Sequence, residues 1–316
     1  MVDGPQQKDL RGISERIVDT FEKINGEHPG RRRVHAKGTV CEGSFTSTPE
    51  AAALSDAAHL QANTVPASVR LSNASGNPHA SDANPIAGRG MAVKFLLAGG
   101  ESTDIVSVPL PVFMVRTAED FLGFTEARIP DPETGQPDME KLGAFLAEHP
   151  ETANALQVGL PALAPTTSYA TSLFNGLHAF GLVRGDERTW GRYEWVPEAG
   201  VEILDPEQLE SADRNYLQAE IRERLAAGPA AFALDFRLAA EGDSLSDPTE
   251  AWEGEREVVT LGRLELTGVV EDPECEGVMV WDPMNLVDGI EPSEDEILAA
   301  RSPAYSVSIE RRAAGE

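Results

Sequence analysis

Three clusters in this chain of 316 residues hold side chains that can move protons or hold anions. The first is Arg31-Arg32-Arg33-Val34-His35-Ala36-Lys37-Gly38, a histidine behind three arginines. Histidine titrates near neutral pH, so one that faces a cavity can act as a general acid–base. Standing alone, it reads more readily as a hydrogen-bonded core histidine beside a solvated basic run. The second is Val69-Arg70-Leu71-Ser72. Strand alternation puts Arg70 and Ser72 on one face, so a cation and a hydroxyl share one space, whether cavity or solvent. The third is Arg301-Ser302-Pro303-Ala304-Tyr305. Residues four apart stack on one helical face, which sets a guanidinium beside a phenol.

Other signatures are missing. Gly88-Arg89-Gly90 lacks the third glycine and following helix of a dinucleotide loop and reads as a hairpin turn. There is no nucleophile elbow, phosphate loop or His-Glu-x-x-His helix. Asp131–Asp138 has the acidic look of a calcium loop, but Pro132 and Pro137 make it an ordinary surface loop.

The elements that must carry these clusters follow from hydrophobic period. Ile13, Ile17, Val18, Phe21 and Ile24 recur at helical spacing over 11–25, and Gly26, Pro29 and Gly30 end that run. From residue 32 the period becomes two. Strands are expected at 34–40, 67–72 and 90–97, continuing through 105–108 and 112–115. Residues 118–160 turn helical, most clearly at 139–149. Strands return at 179–184, 190–196, 230–240 and 257–270, with one long helix over 206–227. A final helix opens on the capping box Ser293-Glu294-Asp295-Glu296 after Pro292. The expected fold is α+β: about eight antiparallel strands closing into a barrel, which removes exposed edges, with inserted and appended helices. A helical segment over 1–30 precedes one domain over 31–316.

Composition bounds the partners. With 53 Asp+Glu against 26 Lys+Arg the formal charge is −27, which repels phosphate backbones and anionic lipid, so no nucleic acid and no membrane partner is expected. Hydrophobic content of 41% is enough for a core. Only five of the cations are lysines (Lys8, Lys23, Lys37, Lys94 and Lys141). Cys41 and Cys275 cannot form a disulfide framework or thiolate cluster, the first residues lack a secretory pattern, and the apolar run 105–115 is too short to span a bilayer. A cytoplasmic location is expected.

Taken in order, the clusters resemble the catalase superfamily. Arg32–Gly38 resembles its distal motif, and Val69–Ser72 and Arg89–Phe95 resemble the two strands that follow. Pro111-Val112-Phe113-Met114-Val115-Arg116 and then Phe121 resemble the next segment, and Phe174–Phe180 resembles its Asn-Gly…His-x-Phe strand. Gly289-Ile290-Glu291-Pro292-Ser293 resembles the approach to the proximal tyrosine. The resemblance covers about residues 31–312 and points to a small, catalase-related haem peroxidase.

The resemblance implies haem b and its iron as cofactor, with Tyr305 as the metal ligand; tyrosine is the axial residue of catalases. An ordinary tyrosine titrates near 10, so Arg301 is needed to favour the phenolate. His35 matches the distal acid–base and Ser72 the hydroxyl that orients it. Arg32, Arg70 and Arg312 match cations that pair with haem propionates. Val34, Phe113 and Phe121 match cofactor-lining positions, Phe121 against the porphyrin face. Two departures stand out. Pro303 replaces the family's usual Phe and is expected to bend the helix. Val108 replaces the family's distal Asn, which favours oxidation of organic donors over dismutation of hydrogen peroxide. The implied partners are a peroxide and an organic electron donor, with a homo-oligomer left open. The chain stops 11 residues after Tyr305, which suggests a bare haem barrel without the extensions of full-size catalases. A hydroperoxide isomerase or lyase and a non-catalytic haem carrier remain alternatives.

Overall fold

The computed structural model describes residues 9–84, 88–271 and 279–315. Cys275 and the first eight residues lie outside the described residues. In chain order the elements are α1 (Leu10–Asn25), β1 (Gly38–Ser47), α2 (Pro49–Leu54), β2 (Thr64–Asn73), β3 (Arg89–Leu96), β4 (Ser102–Ser107), α3 (Ala118–Glu126), α4 (Met139–Glu148) and α5 (Pro150–Gly159). There follow β5 (Phe174–Arg184), β6 (Glu187–Pro197), α6 (Pro206–Ser211), α7 (Tyr216–Ala227), β7 (Ala230–Leu238), β8 (Val258–Val269), β9 (Ile290–Pro292) and α8 (Glu296–Ala314).

The strands form one antiparallel sheet in the order β4-β3-β2-β1-β8-β7-β6-β5-β9. Its two ends are brought together by an antiparallel bridge just past β4. Val108 N–H donates to Asn175 O at 3.0 Å, and Asn175 N–H donates to Val108 O at 2.6 Å. Asn175 Nδ2 adds a bond to Pro109 O at 2.8 Å. Eight strands thus curve round to meet, as the sequence predicts, and β9 adds three residues to the far side of β5.

Alternation fills the interior. Along β7, Ala230, Phe232, Leu234 and Phe236 are buried while their neighbours are less so. They meet Phe45, Val69, Leu71, Met91, Val93, Phe95, Trp195 and Leu264 in one core. The opposite face of β2 is also buried: Arg70 and Ser72 are each 4% exposed. The solvent reading of that face is therefore wrong. A layer of α1, α3 and α8 lies beside the barrel, the three helices packing on one another. Ser14 donates to Ala300 O at 3.2 Å, and Arg311 pairs with Asp19 at 2.5 Å and Glu22 at 3.0 Å. A smaller core of Val115, Phe124 and Ile297 sits in this layer.

Several expected boundaries move. No strand forms at 112–115. Pro109 and Pro111 lack the N–H a ladder needs, and Phe113 N–H bonds Pro248 O at 2.8 Å instead. The first strand begins at Gly38, not residue 34. Arg89 and Gly90 open β3 and are not a hairpin turn. The helix expected over 206–227 is two, broken between Ser211 and Tyr216. The last helix starts later than its sequence box: Asp295, not Ser293, is the cap, accepting from the Ile297 and Leu298 N–H groups at 2.8 and 3.2 Å. Glu296 instead accepts from Ala118 N–H at 3.0 Å, joining α8 to the start of α3. Pro303 does not interrupt α8, which runs from Glu296 to Ala314. No helix among the described residues is long and apolar enough to cross a membrane.

Phe232 is fully buried and Leu96 is 42% exposed. Phe232→Ala is expected to cost about 3–5 kcal/mol in urea unfolding, and Leu96→Ala less than about 0.5 kcal/mol.

Candidate active site

His35 precedes β1 in a left-handed conformation, φ 54°, which few non-glycine residues adopt. Its own N–H bonds Ala74 O at 3.3 Å and the next, that of Ala36, bonds Ser75 O at 2.9 Å, so the strained turn is tied to the end of β2. The ring lies against β2 and β3. Nδ1 is 2.9 Å from Ser72 Oγ, and Ser72 Oγ is 3.4 Å from Gly90 O. The assignment that satisfies both contacts has Ser72 donating to Gly90 O and accepting from His35 Nδ1–H, which leaves Nε2 as a free base. Gly90 is required here. A Cβ on it would stand 2.7 Å from His35 Cε1 and 2.9 Å from Ser72 Oγ. Gly38 does the same for Arg70, whose guanidinium would come within 2.5 Å of an added Cβ.

His35 keeps an intermediate exposure, but dense protein crowds it on its remaining sides. That desolvation, then the like charges of Arg70, Arg301 and Arg32, pushes its pKa down to about 3. The imidazole is therefore neutral at physiological pH. The three guanidiniums belong to separate segments of the chain.

The second centre is on α8. Arg301 Nη2 donates to Tyr305 Oη at 2.8 Å, one turn apart, so the geometry survives Pro303. Residues 301–306 are all half-buried, whereas Ile297, Leu298, Ala300 and Val307 on the same helix are buried. Arg301 also bears on His178, which sequence reasoning noted only as part of a strand motif. A register shift in β5 between Asn175 and Ala179, with Leu177 at φ 66°, forms a bulge that carries His178. His178 Nδ1 is 2.6 Å from Asp295 Oδ2, and both side chains are inaccessible. Desolvation lowers the His178 pKa against the pull of Asp295. Asp295 and His178 thus join the tyrosine helix to the barrel wall. The Asn-Gly pair before Leu177 was the available sequence signal, because it marks an irregular strand.

The remaining candidates fall as follows. Arg32 Nη2 donates to Met279 O at 2.6 Å, and its guanidinium lies 5.7 Å from the centre of the Trp281 ring. Val34 is half-buried beside His35. Arg312 is 9% exposed in the last turn of α8. Phe113 and Phe121 pack ring to ring at 5.1 Å, and Phe121 also meets Phe21 of α1 at 6.1 Å. Val108 is half-buried at the barrel-closing bridge. Cys41 is buried and free, its thiol pushed up to about 12 by desolvation, so it is no nucleophile.

A model of the family described as Catalase matches residues 14–315. The chain belongs to the catalase family. It is 38% identical to a catalase-related peroxidase of Mycolicibacterium paratuberculosis over 94% of each chain. It is 35% identical to a catalase-related peroxidase of Synechococcus elongatus, over 95% of this chain and 89% of that one. A catalase of Pseudomonas syringae is 28% identical over 92% of this chain, which spans 59% of that protein. A fungal catalase crystal structure superposes with a TM-score of 0.81 at 21% identity, with 94% of this chain matched and 62% of the other. The chain thus spans about three-fifths of the catalases it matches.

The residues present suit haem, the group that catalases carry. A phenol oxygen that already accepts from a guanidinium is a donor for ferric iron, and buried arginines suit a dianionic porphyrin edge. Tyr305 thus offers an oxygen donor, and His35 a neutral imidazole oriented by Ser72.

Burial also sets the acid response of the fold. His35 and His59 both sit near pKa 3, against 6.5 when unfolded. Between those values the unfolded chain binds more protons. Stability is therefore complete above pH 6.5 and is lost as pH falls toward 3. Urea unfolding between pH 6.5 and 5, where carboxylates contribute least, should show a loss of up to about 1.4 kcal/mol per pH unit for each group. A flat profile there would refute the assignment.

Proposed function

We propose that the protein is a haem peroxidase that reduces hydrogen peroxide or organic hydroperoxides with an organic electron donor. The observation that carries this reading is the pairing of His35 with Ser72 at 2.9 Å and of Arg301 with Tyr305 at 2.8 Å in one fold. Two relatives sharing more than a third of the sequence are named catalase-related peroxidases, which supports the same reading.

Haem, when bound, supplies the iron that accepts oxidising equivalents from the peroxide and passes them to the donor. Tyr305 would hold that iron through its phenol oxygen, to which Arg301 already donates a hydrogen bond. Arg32, Arg70 and Arg312 would pair with the propionates, while Val34, Phe113 and Phe121 would line the macrocycle. Nε2 of His35 would take a proton from one peroxide oxygen and deliver it to the other, so that the leaving group departs as water or an alcohol with the two electrons drawn ultimately from the donor. Ser72 keeps Nδ1 protonated and Nε2 basic throughout. Val108 offers the peroxide an aliphatic surface where catalases have an amide, which suits bulkier hydroperoxides and weakens dismutation. The working location is the cytoplasm.

Tyr305→Phe is expected to abolish the high-spin ferric haem spectrum of the purified protein, while His35→Gln keeps the spectrum and lowers kcat/KM by about 100-fold or more. A colourless wild-type protein that refuses haem would overturn the proposal. Cumene hydroperoxide should yield its alcohol with two electrons drawn from the donor for each peroxide reduced. A rearranged product without donor oxidation would assign an isomerase instead. Because the His35 base form persists down to a pKa of about 3, kcat/KM should stay level from pH 8 to pH 5 instead of falling below 6.5. Val108→Asn should raise the ratio of dismutation to donor oxidation, read by oxygen evolution against dye oxidation. An unchanged ratio would remove Val108 from the argument.

A further inference from the structure

Away from His35 and Tyr305, a second set of coordinating side chains lies where three helix ends meet. Asp120 stands in the first turn of α3, His149 closes α4 and leads into α5, and Glu151 is in the first turn of α5. One ligand atom from each lies within 4.8 Å of the others. The imidazole is already held. Its ring stacks on Phe145 at 4.1 Å and 19°, and Phe145 packs on Phe124 of α3 at 5.7 Å.

Two features set this group apart from an ordinary ion pair. His149 Nδ1 and Glu151 Oε1 are 3.4 Å apart, longer than the about 2.7–2.9 Å of a charge-assisted hydrogen bond. Two ligands each about 2.1 Å from one tetrahedral ion would lie about 3.4 Å apart. The charges are also unbalanced. The His149 and Glu151 side chains are only 22% and 13% exposed, and among the described residues no Lys or Arg pairs with Asp120 or Glu151.

We propose that Asp120, His149 and Glu151 bind one divalent transition-metal ion, with water filling the remaining positions. An imidazole with two carboxylates favours zinc or manganese over magnesium, which prefers all-oxygen shells. The ion ties the α4–α5 pair to the start of α3. Phe121 directly follows Asp120 and packs on Phe113, so the clamp steadies the aromatic wall next to the candidate active site. It takes no part in peroxide chemistry, and the inference does not depend on the haem reading.

The test is calorimetric titration of the full chain, stripped with chelator, by zinc chloride or manganese chloride, with magnesium chloride for comparison. One zinc or manganese per chain is expected, with an affinity that Asp120→Asn, Glu151→Gln and His149→Ala each lower by about 10-fold or more. The metal should raise the thermal midpoint of the parent chain and not that of the variants, while the variants keep the parent's circular dichroism. The two amide variants preserve side-chain shape, so they test the site even if His149→Ala fails to fold. Absence of stoichiometric binding, or binding that is equally tight in the amide variants, would overturn the proposal.

Discussion

The contact between Asp295 and His178 is the joint on which the rest of the site depends. One oxygen of Asp295 meets His178 on the bulge of β5, and the other caps the first N–H groups of α8. A single carboxylate therefore fixes both where the helix starts and which strand it touches. Arg301 and Tyr305 follow 6 and 10 residues later, about 9 and 15 Å along the axis. The pair is sealed from solvent, so removing one member would leave the other buried without compensation, a loss of about 3–5 kcal/mol in comparable cases. At the other end of α8, Arg311 pairs with Asp19 and Glu22 and Glu310 with Arg11, binding the helix to α1. With both ends tied, the helix keeps its course through Pro303 despite the lost backbone bond.

The His35 centre rests on a different constraint, the close approach of an imidazole to a sheet. Strands normally present a side chain every second residue on each face. Gly90 and Gly38 remove two of them, so that the His35 ring and the Arg70 guanidinium lie against bare backbone. The cost is a left-handed backbone at His35, held by bonds from its neighbours to the end of β2. Burial then does the electrical work. Desolvation and three guanidiniums keep the ring neutral without any counter-charge. The chain's net charge of −27 is thus unevenly placed, with arginines gathered around one histidine in a strongly acidic protein.

Much of this was legible in the sequence. The period-two runs gave the strands of the barrel, and the order of separated motifs led to the right family before any coordinates. Helical spacing set Arg301 beside Tyr305, the family resemblance implied that Ser72 orients His35, and the structure places each pair in hydrogen-bonding contact. Three of the errors share one cause. A strand through 34–37, a strand at 112–115 and a cap at Ser293 each followed local pattern, and in each place a distant partner prevailed: Ala74 and Ser75, Pro248, and His178. The His178–Asp295 joint could not be seen because its members are 117 residues apart.

By itself, the sequence determined the fold class, the family and the chemical repertoire, because strand and helix periods and short motifs depend on neighbours along the chain. Only the tertiary structure decided which face of β2 is buried, which residue caps α8 and how the barrel closes at Val108 and Asn175. It alone set the ionisation of His35 and brought Asp120, His149 and Glu151 together. Those outcomes depend on desolvation and on contacts between distant segments, which exist only once the helix layer has settled on the sheet.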